Sequence, residues 1–140
     1  MSTVYLALGS NLGDRLRYIQ KAVAQLEDGG LKVLKLSTII ETDPVGGPPQ
    51  GKYLNAVLKA STALSPEELH VITESIERKL GRVKKNINAP RVIDIDILLY
   101  DDIKLITPPL LIPHPRCLER PFVMQPLEEI DPALCASLKP

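Results

Sequence analysis

A strand, a helix, two strands, a helix and a strand follow one another along this chain. That order predicts an α+β protein with a ferredoxin-like β-α-β-β-α-β core, an antiparallel sheet carrying both helices on one face. Two observations carry the reading. Apolar residues occupy every second position around residues 4–8, 54–60 and 93–99, and they recur at helical spacing over 12–26 and 69–80. Glycines, prolines and one capping sequence mark the joints between these stretches.

Val4, Leu6 and Leu8 alternate with Thr3, Tyr5 and Ala7 in the first strand, which ends at Gly9-Ser10-Asn11. Asn11 is suited to cap the helix that follows, and Leu12, Leu16, Ile19, Val23 and Leu26 give that helix its apolar face up to Gly29-Gly30. Leu31 to Thr42 reads as the second strand. The connection from Asp43 to Lys52 contains three prolines and three glycines and is long for a hairpin, which suits a functional loop and, on composition alone, equally a flexible connector. Tyr53 to Thr62 is the third strand. Ser65-Pro66-Glu67-Glu68 is a capping box with proline at the first helical position, and Leu69, Ile72, Ile76 and Leu80 form one stripe before Gly81. After a loop from Arg82 to Pro90 comes the fourth strand, with Ile103 to Ile106 as a short hairpin partner. Prolines at 108, 109, 113, 115, 121, 126 and 132 predict a mostly irregular C-terminal segment.

With 140 residues the chain is expected to form a single domain, 1–140, able to bury a core without disulfide or metal staples. Lys plus Arg and Asp plus Glu both number 17, so no global field favours nucleic acid or an anionic membrane. Cys117 and Cys135 lack metal-ligand or C-x-x-C spacing and read as reduced packing residues of a cytoplasmic protein. The run Val4 to Leu8 is too short and lacks the basic flank of a secretory signal, and no run approaches a membrane span.

The fourth strand is where chemistry first shows. Aspartate is depleted in strands, yet Asp94 and Asp96 share one face of RVIDIDILLY, with Leu98 and Tyr100, opposite Ile93, Ile95, Ile97 and Leu99. Two such residues lie roughly 6.5–7 Å apart at the backbone, near enough for their oxygens to converge on one or two hard cations, Mg²⁺ above all. Alone, the pair reads first as a solvated outer face, and it is the surrounding residues that reverse this. On the third strand, Tyr53, Asn55, Val57 and Lys59 share a face opposite Leu54, Ala56, Leu58 and Ala60. Tyr53 and Asn55 then look out beside the aspartates, a stacking surface next to an amide that suits a flat heterocycle, although an ordinary solvated strand would carry the same residues.

From Arg78 to Arg91 the chain holds Arg78, Lys79, Arg82, Lys84, Lys85 and Arg91 and no carboxylate. Cations leading into a carboxylate pair point to a polyphosphate with Mg²⁺: the carboxylates hold metal and the cations neutralise charge on the phosphates. No Walker A sequence is present. Pro113-His114-Pro115-Arg116 and Glu119-Arg120-Pro121-Phe122 add an imidazole held between prolines, two guanidinium groups and the single phenylalanine. His70, on the second helix, reads as a surface residue.

Taken together these residues resemble the 6-hydroxymethyl-7,8-dihydropterin pyrophosphokinase family of folate biosynthesis. The resemblance runs through Leu8-Gly9-Ser10-Asn11-Leu12-Gly13-Asp14, Thr42-Asp43-Pro44, Tyr53-Leu54-Asn55-Ala56, Pro66-Glu67-Glu68-Leu69, Gly81-Arg82, Pro90-Arg91, Asp94-Ile95-Asp96-Ile97, Pro113-His114-Pro115 and Arg120-Pro121-Phe122. It implies transfer of pyrophosphate from ATP to the pterin's hydroxymethyl oxygen, leaving AMP. Asp94 and Asp96 would hold two Mg²⁺ ions. Tyr53 and Phe122 would sandwich the pterin, while Asn55, Thr42 and the chain at Pro44 and Val45 would read its edge. Arg82, Lys84, Arg91, His114 and Arg120 fall where the family contacts ATP phosphates or supports the transition state, with Arg82 and Arg91 as catalytic cations, and Glu77 falls near the nucleotide. Lys84-Lys85-Asn86-Ile87-Asn88-Ala89 departs from the family by lacking its Arg-aromatic pair and by one residue in length. The resemblance implies small-molecule substrates; the charge balance gives no expectation of a nucleic acid or membrane partner, and a monomer is expected. Two alternatives stand beside it: a catalytically degenerate paralogue that binds pterin or nucleotide without turnover, and an RNA-recognition-type module, which shares the element order but whose RNP signature is missing.

Overall fold

Strand β1 (Ser2–Ser10) lies inside an antiparallel sheet, paired along one edge with β4 (Tyr53–Thr62) and along the other with β5 (Asp94–Tyr100). The computed structural model describes residues 1–44, 49–81 and 91–138, and Val45, Arg82, Lys84 and the whole loop from Arg82 to Pro90 lie outside them. Beyond β4 come β2 (Leu31–Leu36) and the short β3 (Ile40–Thr42), so the order is β2-β4-β1-β5 with β3 on β4. The expected second strand is thus two pieces, separated at Ser37, whose backbone N–H bonds the Val57 carbonyl and whose Oγ accepts from the Val57 N–H.

Helices α1 (Arg15–Asp28) and α2 (Pro66–Lys79) cover one face, as the alternation requires. Ile19, Ala22 and Leu26 of α1 and Leu69 and Ile76 of α2 bury against Val4, Leu6, Leu8, Leu58, Ala60, Ile95 and Ile97. The capping box forms as read: Ser65 Oγ accepts from the Glu68 N–H at 3.1 Å and Glu68 Oε1 from the Ser65 N–H at 2.9 Å. Gly81, with φ +107°, takes the left-handed conformation that ends α2. Asn11, however, does not cap α1. The cap is Asp14, whose carboxylate accepts from the Arg17 N–H, because the chain makes one more turn at Gly13 (φ +73°) before the helix begins.

Two corrections concern the second face. The C-terminal segment is not irregular: β6 (Leu105–Thr107) and β7 (Leu110–Ile112) make a separate hairpin, and α3 (Pro121–Ile130) and α4 (Pro132–Leu138) follow. The predicted hairpin partner of β5 therefore pairs with β7 instead. Proline occupies the first turn of both helices, where its missing N–H is no loss, and Pro126 within α3 is buried among Val123, Leu127 and Ile130. This helix packs on the second sheet face against Tyr5, Ala7, Val57, Leu98 and Leu99, with Cys135 buried beside them. Among the described residues, a cavity is left at the Gly9 end of that face. Tyr100 also changes sides: Leu6 pairs with Ile97 and Tyr5 with Leu99, so Leu98 is an extra residue, a bulge that puts Leu98 and Leu99 under α3 and sends Tyr100 to the helix side. There its hydroxyl donates to the Leu64 carbonyl at 2.5 Å. Among the described residues no helix is long and apolar enough to cross a membrane.

Candidate functional site

Sheet register assembles the cavity end of the second face. Asn55, Gly9 and Asp94 lie side by side across β4, β1 and β5, and the next row is Val57, Ala7 and Asp96. The middle strand thus presents only glycine and alanine here, which makes a floor. A Cβ at position 9 would stand 3.1 Å from Asn55 Oδ1 and 3.4 Å from the Tyr53 ring, so glycine is needed for those two side chains to lie down over the strand. Asn55 is buried, and its Nδ2 donates to Thr42 Oγ1 on β3 at 2.5 Å. Thr42, Asp43, Pro44 and Gln50 form one wall of this cavity, and Arg116, Arg120, Phe122 and Val123 form the opposite one. The Arg120 guanidinium sits over the Phe122 ring, 5.6 Å from its centre.

A second cavity opens on the far side of β5. His70, Thr73, Glu74 and Glu77 of α2 line it together with Ile95, Ile97 and Pro109 to Leu111. Glu77 is buried, with Oε2 accepting from the Ile95 N–H at 2.9 Å, which ties α2 to the aspartate strand at the cavity wall. Four residues line both cavities: Arg91, Asp94, Asp96 and His114. The two spaces therefore meet at the paired carboxylates.

At the junction Arg91 Nη1 lies 3.4 Å from Asp94 Oδ1, and His114 Nε2 lies 3.9 Å from Asp96 Oδ1, beyond hydrogen-bond reach. Burial, reinforced by the neighbouring Arg120 guanidinium and opposed by Asp94, holds His114 below the usual histidine value. Its imidazole is then neutral at pH 7, a ring that donates without adding charge. The His114 backbone N–H bonds the Leu98 carbonyl at 3.0 Å, which fixes the ring beside β5. Among the described residues no three His, Cys, Asp or Glu side chains cluster as a metal cage.

Of the residues singled out from sequence, Thr42, Pro44, Tyr53, Asn55, Arg91, Asp94, Asp96, His114, Arg120 and Phe122 gather around the first cavity, and Glu77 stands on the second. Arg120 lines the first cavity and not the second. Sequence reasoning passed over Gly9 and Gln50 as wall residues, and it placed His70 on the open surface, whereas that ring is half-buried on the second cavity, 3.5 Å from Glu74 Oε1. A glycine inside an otherwise regular strand was the available signal for the first of these.

A family model described as 7,8-dihydro-6-hydroxymethylpterin-pyrophosphokinase matches residues 5–132. The 2-amino-4-hydroxy-6-hydroxymethyldihydropteridine pyrophosphokinase of Aquifex aeolicus is 48% identical over 132 residues, covering 94% of this chain and 82% of the relative. The protein of the same name from Bacillus subtilis is 46% identical over 127 residues, covering 90% and 76%. A third, from Porphyromonas gingivalis, is 41% identical over 138 residues, covering 96% and 94%. A solved structure described as HPPK-DHPS in complex with substrates superposes with a TM-score of 0.69 at 16% identity, a likeness of fold, over 94% of this chain and 40% of that longer one.

Proposed function

The chain belongs to the 7,8-dihydro-6-hydroxymethylpterin-pyrophosphokinase family, and from that premise we propose how its two cavities divide the substrates of one transfer reaction. The hydroxymethyl oxygen of 6-hydroxymethyl-7,8-dihydropterin attacks the β-phosphorus of ATP, the bond from that phosphorus to the α-phosphate bridge breaks, AMP leaves, and the hydroxyl proton passes to solvent. The observation that carries this reading is the sharing of Arg91, Asp94, Asp96 and His114 by both cavities. A nucleoside in the second cavity and a pterin in the first would bring the polyphosphate across the carboxylate pair.

Tyr53 and Phe122 stand on the first cavity as aromatic surfaces for a flat ring, with the Asn55–Thr42 pair beside them to hydrogen-bond its edge. Arg91 and His114 face the phosphates from the junction, one as a fixed charge and one as a neutral donor, and Arg120 approaches from the pterin side. Glu77 bounds the nucleoside end. Val45, Arg82 and Lys84 have their assignments from the resemblance alone.

Mg²⁺ fits the donor set. Two carboxylates at alternate strand positions, with no further acidic or imidazole cage among the described residues, suit a cation that keeps waters and takes its remaining ligands from substrate phosphates. Asp94 and Asp96 would hold two such ions, which when bound draw charge from the phosphate oxygens. We extend the proposal to the whole chain as a single domain, 1–140, acting as a cytoplasmic monomer on small molecules. Its balanced charge supports the exclusion of nucleic acid and anionic membranes as partners. Family membership over residues 5–132 sets the RNA-recognition reading aside.

Protein mixed with ATP, Mg²⁺ and 6-hydroxymethyl-7,8-dihydropterin should yield AMP and the pterin diphosphate, and omission of the pterin should abolish AMP. ADP as the nucleotide product would contradict the reading. Tight binding of both ligands with no product would identify a degenerate paralogue instead.

A further inference from the structure

Asn11 is buried, immediately follows β1, and has every side-chain hydrogen-bonding group committed. Its Oδ1 accepts from the Arg91 N–H at 2.8 Å, and its own backbone N–H donates to the Arg91 carbonyl at 3.0 Å, so Arg91 is clasped at both backbone groups. Its Nδ2 donates to Gln50 Oε1 at 2.6 Å and to the Gly51 carbonyl at 3.1 Å. One amide therefore joins the wall of the first cavity, at Gln50, to the arginine that stands where both cavities meet. An amide is the side chain that does both, because it pairs an acceptor with two donors in one rigid plane. Burial makes each lost partner expensive, so the two attachments hold or fail together.

We propose that Asn11 is a positioning residue that sets Arg91 according to the state of the first-cavity wall, and so couples occupation of the two cavities. This rests on the two-cavity division above. A ligand that holds Gln50 in the first cavity holds Asn11 with it, and Asn11 in turn fixes the backbone from which the Arg91 guanidinium reaches the junction. Asn11 itself lines neither cavity. Among the described residues Arg15 supports the same loop from outside, with Nη1 on the Lys52 carbonyl at 2.9 Å and on Glu41 Oε2 at 2.8 Å, and as these bonds lead to β3 and the loop rather than to Arg91 it serves as the control.

The test compares the native protein with Asn11→Asp, Gln50→Ala, the double variant and Arg15→Ala. Asn11→Asp keeps the acceptor for the Arg91 N–H and removes both donors to the loop. Calorimetry would measure the affinity of a non-hydrolysable ATP analogue with Mg²⁺, with and without saturating 6-hydroxymethylpterin. Pterin should strengthen nucleotide binding about fivefold or more in the native protein, the lower end of ordinary coupling between sites. Asn11→Asp and Gln50→Ala should each bring that ratio close to one, the double variant should go no further, and Arg15→Ala should keep most of it. A ratio of one in the native protein, or a native-like ratio in folded Asn11→Asp or in Gln50→Ala, would overturn the proposal. If Asn11→Asp fails to fold, Gln50→Ala alone decides. Binding is read here without turnover, so a native protein that couples its ligands but makes no AMP would sink the transfer reading and leave this one standing.

Discussion

Residues cross the second sheet face in parallel rows, Asn55, Gly9 and Asp94 at one end and Lys59, Tyr5 and Leu99 at the other. The same three strands build both, and the difference lies in what the middle strand carries. At the Tyr5 end a large ring fills the face and α3 closes over it. The Tyr5 hydroxyl donates to Asp131, Lys59 Nζ lies 3.8 Å from the same carboxylate, Lys35 Nζ donates to the Ile130 carbonyl at 3.2 Å, and Glu129 accepts from Thr38. At the Gly9 end the middle strand carries no side chain, Asn55 and Tyr53 lie over it, and the other end of α3 brings Phe122 and Val123 to the rim of an open cavity. One helix is thus fastened where side chains are large and overhangs where they are small. Side-chain volume along β1, from Tyr5 through Ala7 to Gly9, separates the end that α3 closes from the end that leaves a cavity.

The largest expected effect breaks the binding half alone. Asp94→Ala or Asp96→Ala should lower turnover by at least ~100-fold, the scale of losing one main charge-stabilising group, while the melting temperature stays near the native value because neither carboxylate is core. Near-native turnover of either variant at limiting Mg²⁺ would refute the metal assignment. On the fastened half the opposite pattern should appear. Leu127, on the sheet-facing side of α3, is fully buried, and Leu127→Ala should reduce stability by about 2–5 kcal/mol in urea unfolding. Phe122→Ala, at the overhanging end, should weaken pterin binding with a much smaller loss of stability. Equal stability losses for the two variants would erase the distinction between the ends of α3.

Asn55→Ala sharpens the comparison within the cavity. It should weaken pterin affinity by roughly 1–3 kcal/mol, the range for leaving a buried polar edge unpaired, and leave nucleotide binding unchanged. Calorimetry with each ligand separately checks this, and equal losses would place Asn55 at the junction instead. The smallest effect is on pH. The Tyr5 hydroxyl, with help from Leu134 N–H and the lysines, holds Asp131 below the usual carboxylate value, while burial and the same bond raise Tyr5 well above its own. Asp131 then contributes stability that is complete above its unfolded value of about 3.9 and is lost as pH falls through its folded value. Tyr5 contributes stability that is present below its unfolded value of about 10 and is lost as pH rises beyond it. Tyr5→Phe should flatten both limbs of a stability-pH curve. Unchanged limbs would show that this latch does not act on stability.

How far the sequence discloses this arrangement depends on whether a signal is local. The capping box at Ser65 and the alternation of Tyr53 to Ala60 are complete in a few residues, and both hold in the structure. The faces of Asp94 and Asp96 hold too, since they precede the bulge. Tyr100 fails because the bulge at Leu98 is a relation between β1 and β5 that neither strand announces. The helix from Pro121 to Ile130 was hidden by its prolines: Pro121 opens it harmlessly, and burial of Val123, Leu127 and Ile130 offsets the rung lost at Pro126. Asn11 looked like a cap because its residue type favours caps, while its partners, Gln50 and Arg91, lie far along the chain. The residues that line the cavities were legible where strand phase and family resemblance pointed to the same side chains, Tyr53, Asn55, Asp94 and Asp96; their division between two cavities was not, because it needs the position of α2 behind β5.

That division is tested most directly by a crystal structure of the protein with a non-hydrolysable ATP analogue, Mg²⁺ and 6-hydroxymethylpterin. The nucleoside should lie between α2 and the Pro109–Leu111 segment, the pterin between Tyr53 and Phe122 over Gly9, and the metal on Asp94 and Asp96 between them. A nucleoside seated over Gly9, or metal bound away from both aspartates, would contradict the account.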